Sequence, residues 1–139
     1  MVTLGNDELK CIALFEQLTG AAADDCVIEP DRIIFVVKEG QMGRAIGKGG
    51  STINKVREMF KKQIDVAEDA ETVEAFIRGM FPGVQLRSIS MKEGEGAKKF
   101  AQITVDSKDR GAVIGRGGSR IKLARTLVER RFGAELKLI

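Results

Sequence analysis

The sequence contains no histidine, tryptophan or tyrosine, only two cysteines and two prolines, and no apolar stretch approaching the roughly 20 residues that span a bilayer. Each absence narrows what the chain can do. Without histidine, the side chain that most often moves protons near neutral pH is missing, so no enzymatic reading is adopted. Cys11 and Cys26 have no Cys-x-x-Cys spacing and no histidine to complete a metal site, and are read as buried thiols. No cofactor, metal or small-molecule substrate is expected. Met1 to Asn6 lack the basic and apolar stretches of a secretory leader, so a cytoplasmic protein without membrane attachment is expected.

Charge is plentiful but unevenly placed. The net charge of +3 is too small to imply a polyanionic partner by itself. Residues 1–69 carry nine Lys/Arg against twelve Asp/Glu, a net of −3, whereas residues 70–139 carry fourteen against eight, a net of +6. Such asymmetry points to a basic face.

An internal repeat sets the organisation. The fifteen residues from Gly43 to Arg57 recur from Gly111 to Arg125 with eight identities, at an offset of 68 residues, almost half the chain. Two tandem domains follow, residues 1–69 and 70–139. In the first, Glu8 to Leu18 reads as a helix stopped by Gly20. Cys26 to Ile28 and Ile33 to Val37 read as strands around a Pro30-Asp31 turn, and Ser51 to Lys62 as a helix. Ile64 and Val66 mark a closing strand. In the second, Thr72 to Met80 is a predicted helix stopped before Pro82-Gly83. Val84 to Met91 and Lys98 to Asp106 form a hairpin turning at Lys92 to Gly96, Ser119 to Arg131 is a helix, and Ala134, Leu136 and Leu138 mark the last strand. The predicted class is α+β, each half αββααβ with a helix-covered three-stranded sheet. Cys11, Met42, Met59 and Phe60 are left to packing, and the short junction near Asp69 predicts a fixed interdomain arrangement.

The glycine blocks suggest a phosphate clamp. Helix N-termini offer unsatisfied amides and partial positive charge to an anion, and two helices are placed to converge on each loop. Gly47 and Gly50 lack the Cβ that would hold a sugar-phosphate chain away, while Lys48-Gly49 supplies one cation. Gly115-Arg116-Gly117-Gly118 repeats this with arginine. Residues 43–62 hold six basic side chains against Glu58, and residues 111–131 hold six against Glu129, so even the acidic half concentrates cations here. Nucleotide-binding alternatives fail on spacing: counting from Gly43, Lys48 stands where a P-loop needs its second glycine, and position 52 lacks the third glycine of a dinucleotide fingerprint.

Ile46-Gly47-Lys48-Gly49-Gly50 and Ile114-Gly115-Arg116-Gly117-Gly118 resemble the Gly-x-x-Gly loop of the KH domain, and the order of elements resembles its type II form. That resemblance implies that each loop clamps about four nucleotides of single-stranded RNA while bases lie in an apolar groove. The matching groove positions are Ile46, Ile53 and Ile64, and Ile114, Ile121 and Leu136. Ile53 and Ile121 are equally readable as core. Ser51 and Ser119 read first as helix N-caps, with a phosphate contact as the alternative. Arg57 and Arg125 either form local ion pairs or reach a phosphate, and the phosphate is the reading adopted. Two such domains in tandem resemble the archaeal NusA family of transcription termination and elongation factors. This implies nascent RNA and RNA polymerase as partners and a role in termination, antitermination or elongation, while the duplicated clamp and the tight junction suggest one continuous RNA groove. A ribosome-associated or ribosome-assembly KH protein is the rival reading.

Overall fold

In a computed structural model of the chain, which describes residues 4–81 and 83–139, the opening apolar period forms α1 (Asn6–Thr19), slightly longer than the span predicted. Gly20 closes it in a left-handed conformation, its N–H donating to the Glu16 carbonyl. β1 (Ala23–Ile28) begins three residues before Cys26 and pairs antiparallel with β2 (Arg32–Val37). The chain then passes through α2 (Met42–Ile46) and α3 (Ser51–Phe60) before β3 (Gln63–Glu68) lies parallel to β2. A parallel neighbour cannot be reached by a tight turn, and the two helices supply the crossover. α3 stops at Phe60 rather than Lys62 because Lys61 takes φ 53° as its C-cap.

The order recurs in α4 (Val73–Met80), β4 (Leu86–Glu93), β5 (Lys99–Val105), α5 (Arg110–Ile114), α6 (Ser119–Phe132) and β6 (Ala134–Leu138). The sheets run β1-β2-β3 and β4-β5-β6, with the same strand directions in both. Thr72 caps α4, its Oγ1 accepting the Ala75 N–H at 3.1 Å. β4 continues through Lys92 and Glu93, so the hairpin turns at residues 94–98, later than predicted. Pro82, read as part of the stop after α4, lies outside the described residues, as do Met1, Val2 and Thr3. The chain divides into two compact units, one ending at Ala70 and the other running Glu71–Ile139. Among the described residues no helix is long and apolar enough to cross a membrane.

Helices cover one face of each sheet. In the first unit Ile12, Phe15, Ile33, Phe35, Val37, Ala45, Val56 and Ile64 form the core, with the Phe15 and Phe35 rings stacked at 4.1 Å and 12°. Cys26 is buried in it, but Cys11 is only half-buried, and Met59 is exposed rather than packed. In the second unit Ala101, Ile103 and Val105 stand at an offset of 68 from Ile33, Phe35 and Val37. Leu136 stands 72 from Ile64, because α6 has fourteen residues where α3 has ten. The extra four residues add about one turn. On the opposite sheet face, the Arg32–Asp65 ion pair at 3.4 Å occupies the place where Lys137 lies 4.0 Å over the Phe100 ring.

Phe15→Ala should reduce the unfolding free energy by about 3–5 kcal/mol, because it removes a fully buried ring stacked on a second one. Urea titration of the variant checks this, and a loss under about 1 kcal/mol would show that the stack is dispensable.

Candidate nucleic-acid interface

Each unit presents one glycine turn between two helices, and the two turns have nearly the same backbone. Gly47 has φ 75° and ψ 170°, Gly49 φ 61° and Gly50 φ 80°; Gly115, Gly117 and Gly118 have φ 77°, 62° and 77°. The first glycine of each trio is required by close approach. A Cβ on Gly47 would sit 2.8 Å from the Thr52 amide nitrogen, and one on Gly115 would sit 2.6 Å from Arg120 Cβ. Gly49 and Gly117 instead face open space, where a Cβ would meet nothing within 4 Å. Lys48, Gly49, Arg116 and Gly117 are exposed, while Ile46, Ile114, Gly50 and Gly118 are half-buried.

The turn differs from expectation in its polar groups. α2 and α5 meet the turn with their C-terminal ends, so one helix N-terminus serves each turn, not two. Gly50, in the left-handed region, is the N-cap of α3, and Gly118 is that of α6. Ser51 and Ser119 are the first helical residues, with φ −60° and −64°, so neither stands at the N-cap position. The N-cap reading is therefore corrected: an N-cap serine needs a non-helical backbone that these two do not adopt. The Gly50 N–H donates to Gly47 O at 3.1 Å and the Ser51 N–H to Lys48 O, so the turn consumes two amides itself.

The apolar positions divide. Ile53 and Ile121 are buried at 4% and 6% exposure, and Ile64 and Leu136 at 0% and 1%, which places all four in the cores. Ile46 and Ile114, half-buried beside the turns, are the two of the six with surface to offer. Arg57 donates from Nη1 to Asn54 Oδ1 at 3.0 Å and from Nη2 to the Ile64 carbonyl at 3.3 Å. Arg125 donates from Nε to the Leu136 carbonyl at 3.2 Å. Neither makes an ion pair among the described residues.

Lys48, Lys55, Arg116 and Lys122 are exposed and, among the described residues, have no carboxylate at ion-pair distance. Cations held without partners around a backbone-exposing turn suit a phosphodiester chain. Arg120 was missed as a distinct element by sequence reasoning. It donates to Ala112 O at 3.1 Å and Met80 O at 3.3 Å and lies 5.2 Å from the Phe81 ring, tying α6 to α5 and α4. The repeat aligns it with Thr52, and an arginine opposite a threonine was the available signal. Away from the turns, burial pushes the Cys11 thiol above its ordinary value, with Asp7 adding to the rise and Lys62 opposing it.

The KH domain family matches residues 11–96, from α1 to the β4–β5 turn. A protein of Halococcus morrhuae named probable transcription termination protein NusA is 39% identical over 131 residues, covering 94% of this chain and 93% of that one. A protein of the same name from Methanocaldococcus jannaschii is 35% identical over 129 residues, covering 93% and 70%. The crystal structure of APE1850 superposes with a TM-score of 0.86 at 38% identity, covering 98% of this chain and 100% of that chain.

Gly47→Ala should destabilise the protein by about 1–3 kcal/mol through overpacking against Thr52. Gly43→Ala, in α2 with open space around it, should instead stabilise by about 0.5–1 kcal/mol. Thermal melts of the two variants compare them, and equal shifts would dismiss the close approach.

Proposed function

Because the chain belongs to the KH-domain family and, within it, to the archaeal NusA proteins, we propose that it binds single-stranded RNA with both glycine turns and acts on transcripts in termination, antitermination or elongation. In this reading residues 1–69 and 70–139 are tandem type II KH domains, each with its own αββααβ order and its own turn. The observation that carries the reading is the duplicated turn itself: the same three glycine conformations, twice, each exposing one unpaired cation at its tip.

The chemistry is binding without bond-making. A sugar-phosphate chain approaches Lys48-Gly49 and Arg116-Gly117 closely because no Cβ stands in its way at Gly49 or Gly117. Lys48 and Arg116 neutralise its charge, and Lys55 and Lys122 extend the basic track along α3 and α6. Ile46 and Ile114 offer apolar surface next to each turn for a base. The transcription role follows the name of the archaeal relatives, and RNA polymerase is the neighbouring machine that this role implies.

Replacing Lys48-Gly49 and Arg116-Gly117 with Asp-Asp should weaken RNA binding by about tenfold or more per turn, since each loses a charge-assisted contact and gains repulsion. Asp tolerates the left-handed conformation better than most residues, so circular dichroism should stay unchanged. Fluorescence anisotropy with single-stranded RNA reads the affinity, and undiminished binding by the fully substituted chain removes the clamp.

A further inference from the structure

The closing strand of each sheet is an edge strand beside the glycine-turn helix, and its hydrogen-bonding groups can be assigned. The Asp69 N–H donates inward to Val37 O at 2.8 Å, and the Ile139 N–H to Ile103 O at 3.0 Å. Residues along a strand turn their N–H and C=O to alternate edges, so Ile64 and Val66 face outward on β3, and Leu136 and Leu138 on β6. In both units an outward carbonyl is taken by an arginine at the same rank in the helix: Arg57 on Ile64, the first on β3, and Arg125 on Leu136, the second on β6. The contact recurs in two copies, through Nη2 in Arg57 and Nε in Arg125, which marks a device rather than an accident of one surface.

Each guanidinium is pinned but not spent. Of its five N–H donors, Arg57 uses two and Arg125 one, leaving three and four. Both arginines are exposed, and both stand six residues, about 9 Å, beyond the start of their helix, past the turn where the backbone is gripped. Beside Arg125 opens a cleft of about 430 Å³, lined also by Leu136, Lys98, Lys99, Glu129 and Glu135. The two carboxylates offset the charge of Lys98 and Lys99 in the lining. They match the N1–H and N2–H donors of guanine, whose adjacent O6 and N7 acceptors fit the fork of an arginine.

We infer that Arg125 reads a nucleobase at the edge of the closing strand, guanine in the first place, instead of holding a phosphate, and that Arg57, pinned to its own strand in the same way, reads a base in the first unit. The pin to the main-chain carbonyl orients the fork in advance, and it removes from the groove an acceptor that would otherwise welcome the amino group of adenine. This deepens the RNA-binding reading and rests on it.

The test uses the full chain and short uridine-rich RNAs that differ at one position: guanine, adenine, inosine or 7-deazaguanine. The wild type should favour guanine over adenine by about tenfold, keep most of that preference for inosine, which retains O6 and N7, and lose much of it for 7-deazaguanine. Arg125→Gln with Arg57→Gln should bring the preference toward unity while the slope of log affinity against log salt stays constant. Arg125→Lys retains a donor for the Leu136 carbonyl but lacks the fork, so it should fold as the wild type does and still lose discrimination. A slope reduced by about 0.7 per arginine, with all RNAs weakened alike, would show phosphate contacts and overturn the inference. So would an unchanged guanine preference in the variants. Failure of the wild type to bind any of these RNAs would instead sink the RNA-binding reading itself.

Discussion

A main chain that leaves one helix and enters the next within four residues must bring its own backbone against the new helix, and only a missing side chain permits this. At Gly47 the approach is to the Thr52 amide, at Gly115 to Arg120. Once that contact is made, the tip of the turn is pushed outward. Gly49 and Gly117 then stand in open space with left-handed backbone, and the cation between the glycines is exposed. The exposed tip of the turn is a consequence of the buried contact. The same contact fixes the start of α3 and α6, and with it the rank at which Arg57 and Arg125 meet the closing strands.

The two units keep this constraint and vary what surrounds it. α6 outlasts α3 by one turn, which supplies Glu129 to the cleft beside Arg125 and puts Phe132 against Phe76 at 5.4 Å. Arg120 ties the second turn's helix to the carbonyl ends of α4 and α5, where the helix dipole favours a cation. Among the described residues Thr52 makes no such tie across the first unit. On the far sheet face the first unit uses an ion pair, Arg32 with Asp65, and the second a cation over a ring, Lys137 on Phe100. Either pair joins two neighbouring strands along the same diagonal, so chemistry changed while geometry held.

Much of this was legible in the residues. The offset of 68 is carried by the glycine block and, as it proves, by the core positions of β2 and β5, because no residue is inserted between them. The offset changes to 72 only where α6 lengthens, and nothing in its polar sequence marks the extra turn. Ser51 and Ser119 misled because serine is the commonest kind of N-cap, whereas a glycine already in the left-handed region occupies that place here. Ile64 and Leu136 were assigned to a groove by motif position, but a period-two strand against helices sends them to the core. The arginine pins lay beyond reach, since a guanidinium bound to a main-chain carbonyl leaves no signature in the identity of its acceptor.

Charge placement explains how an acidic unit and a basic one can present similar turns to an anion. A phosphate responds to charges within about one Debye length, roughly 8 Å at physiological salt, and not to the sum over a domain. Most acids of the first unit lie on α1, on β1, in the β1–β2 turn and on β3, with Glu39 after β2, Glu58 late in α3 and Asp69 after β3, and Glu29 and Asp65 are already engaged by Arg32. From α2 to Arg57 there is no carboxylate at all, while Arg44, Lys48, Lys55 and Arg57 line the same stretch. The net charges of −3 and +6 therefore describe solubility and long-range steering, in which the second unit has the advantage. At the turn itself both units present the same local field, because the segment that must bend without side chains is also the segment from which acids are missing.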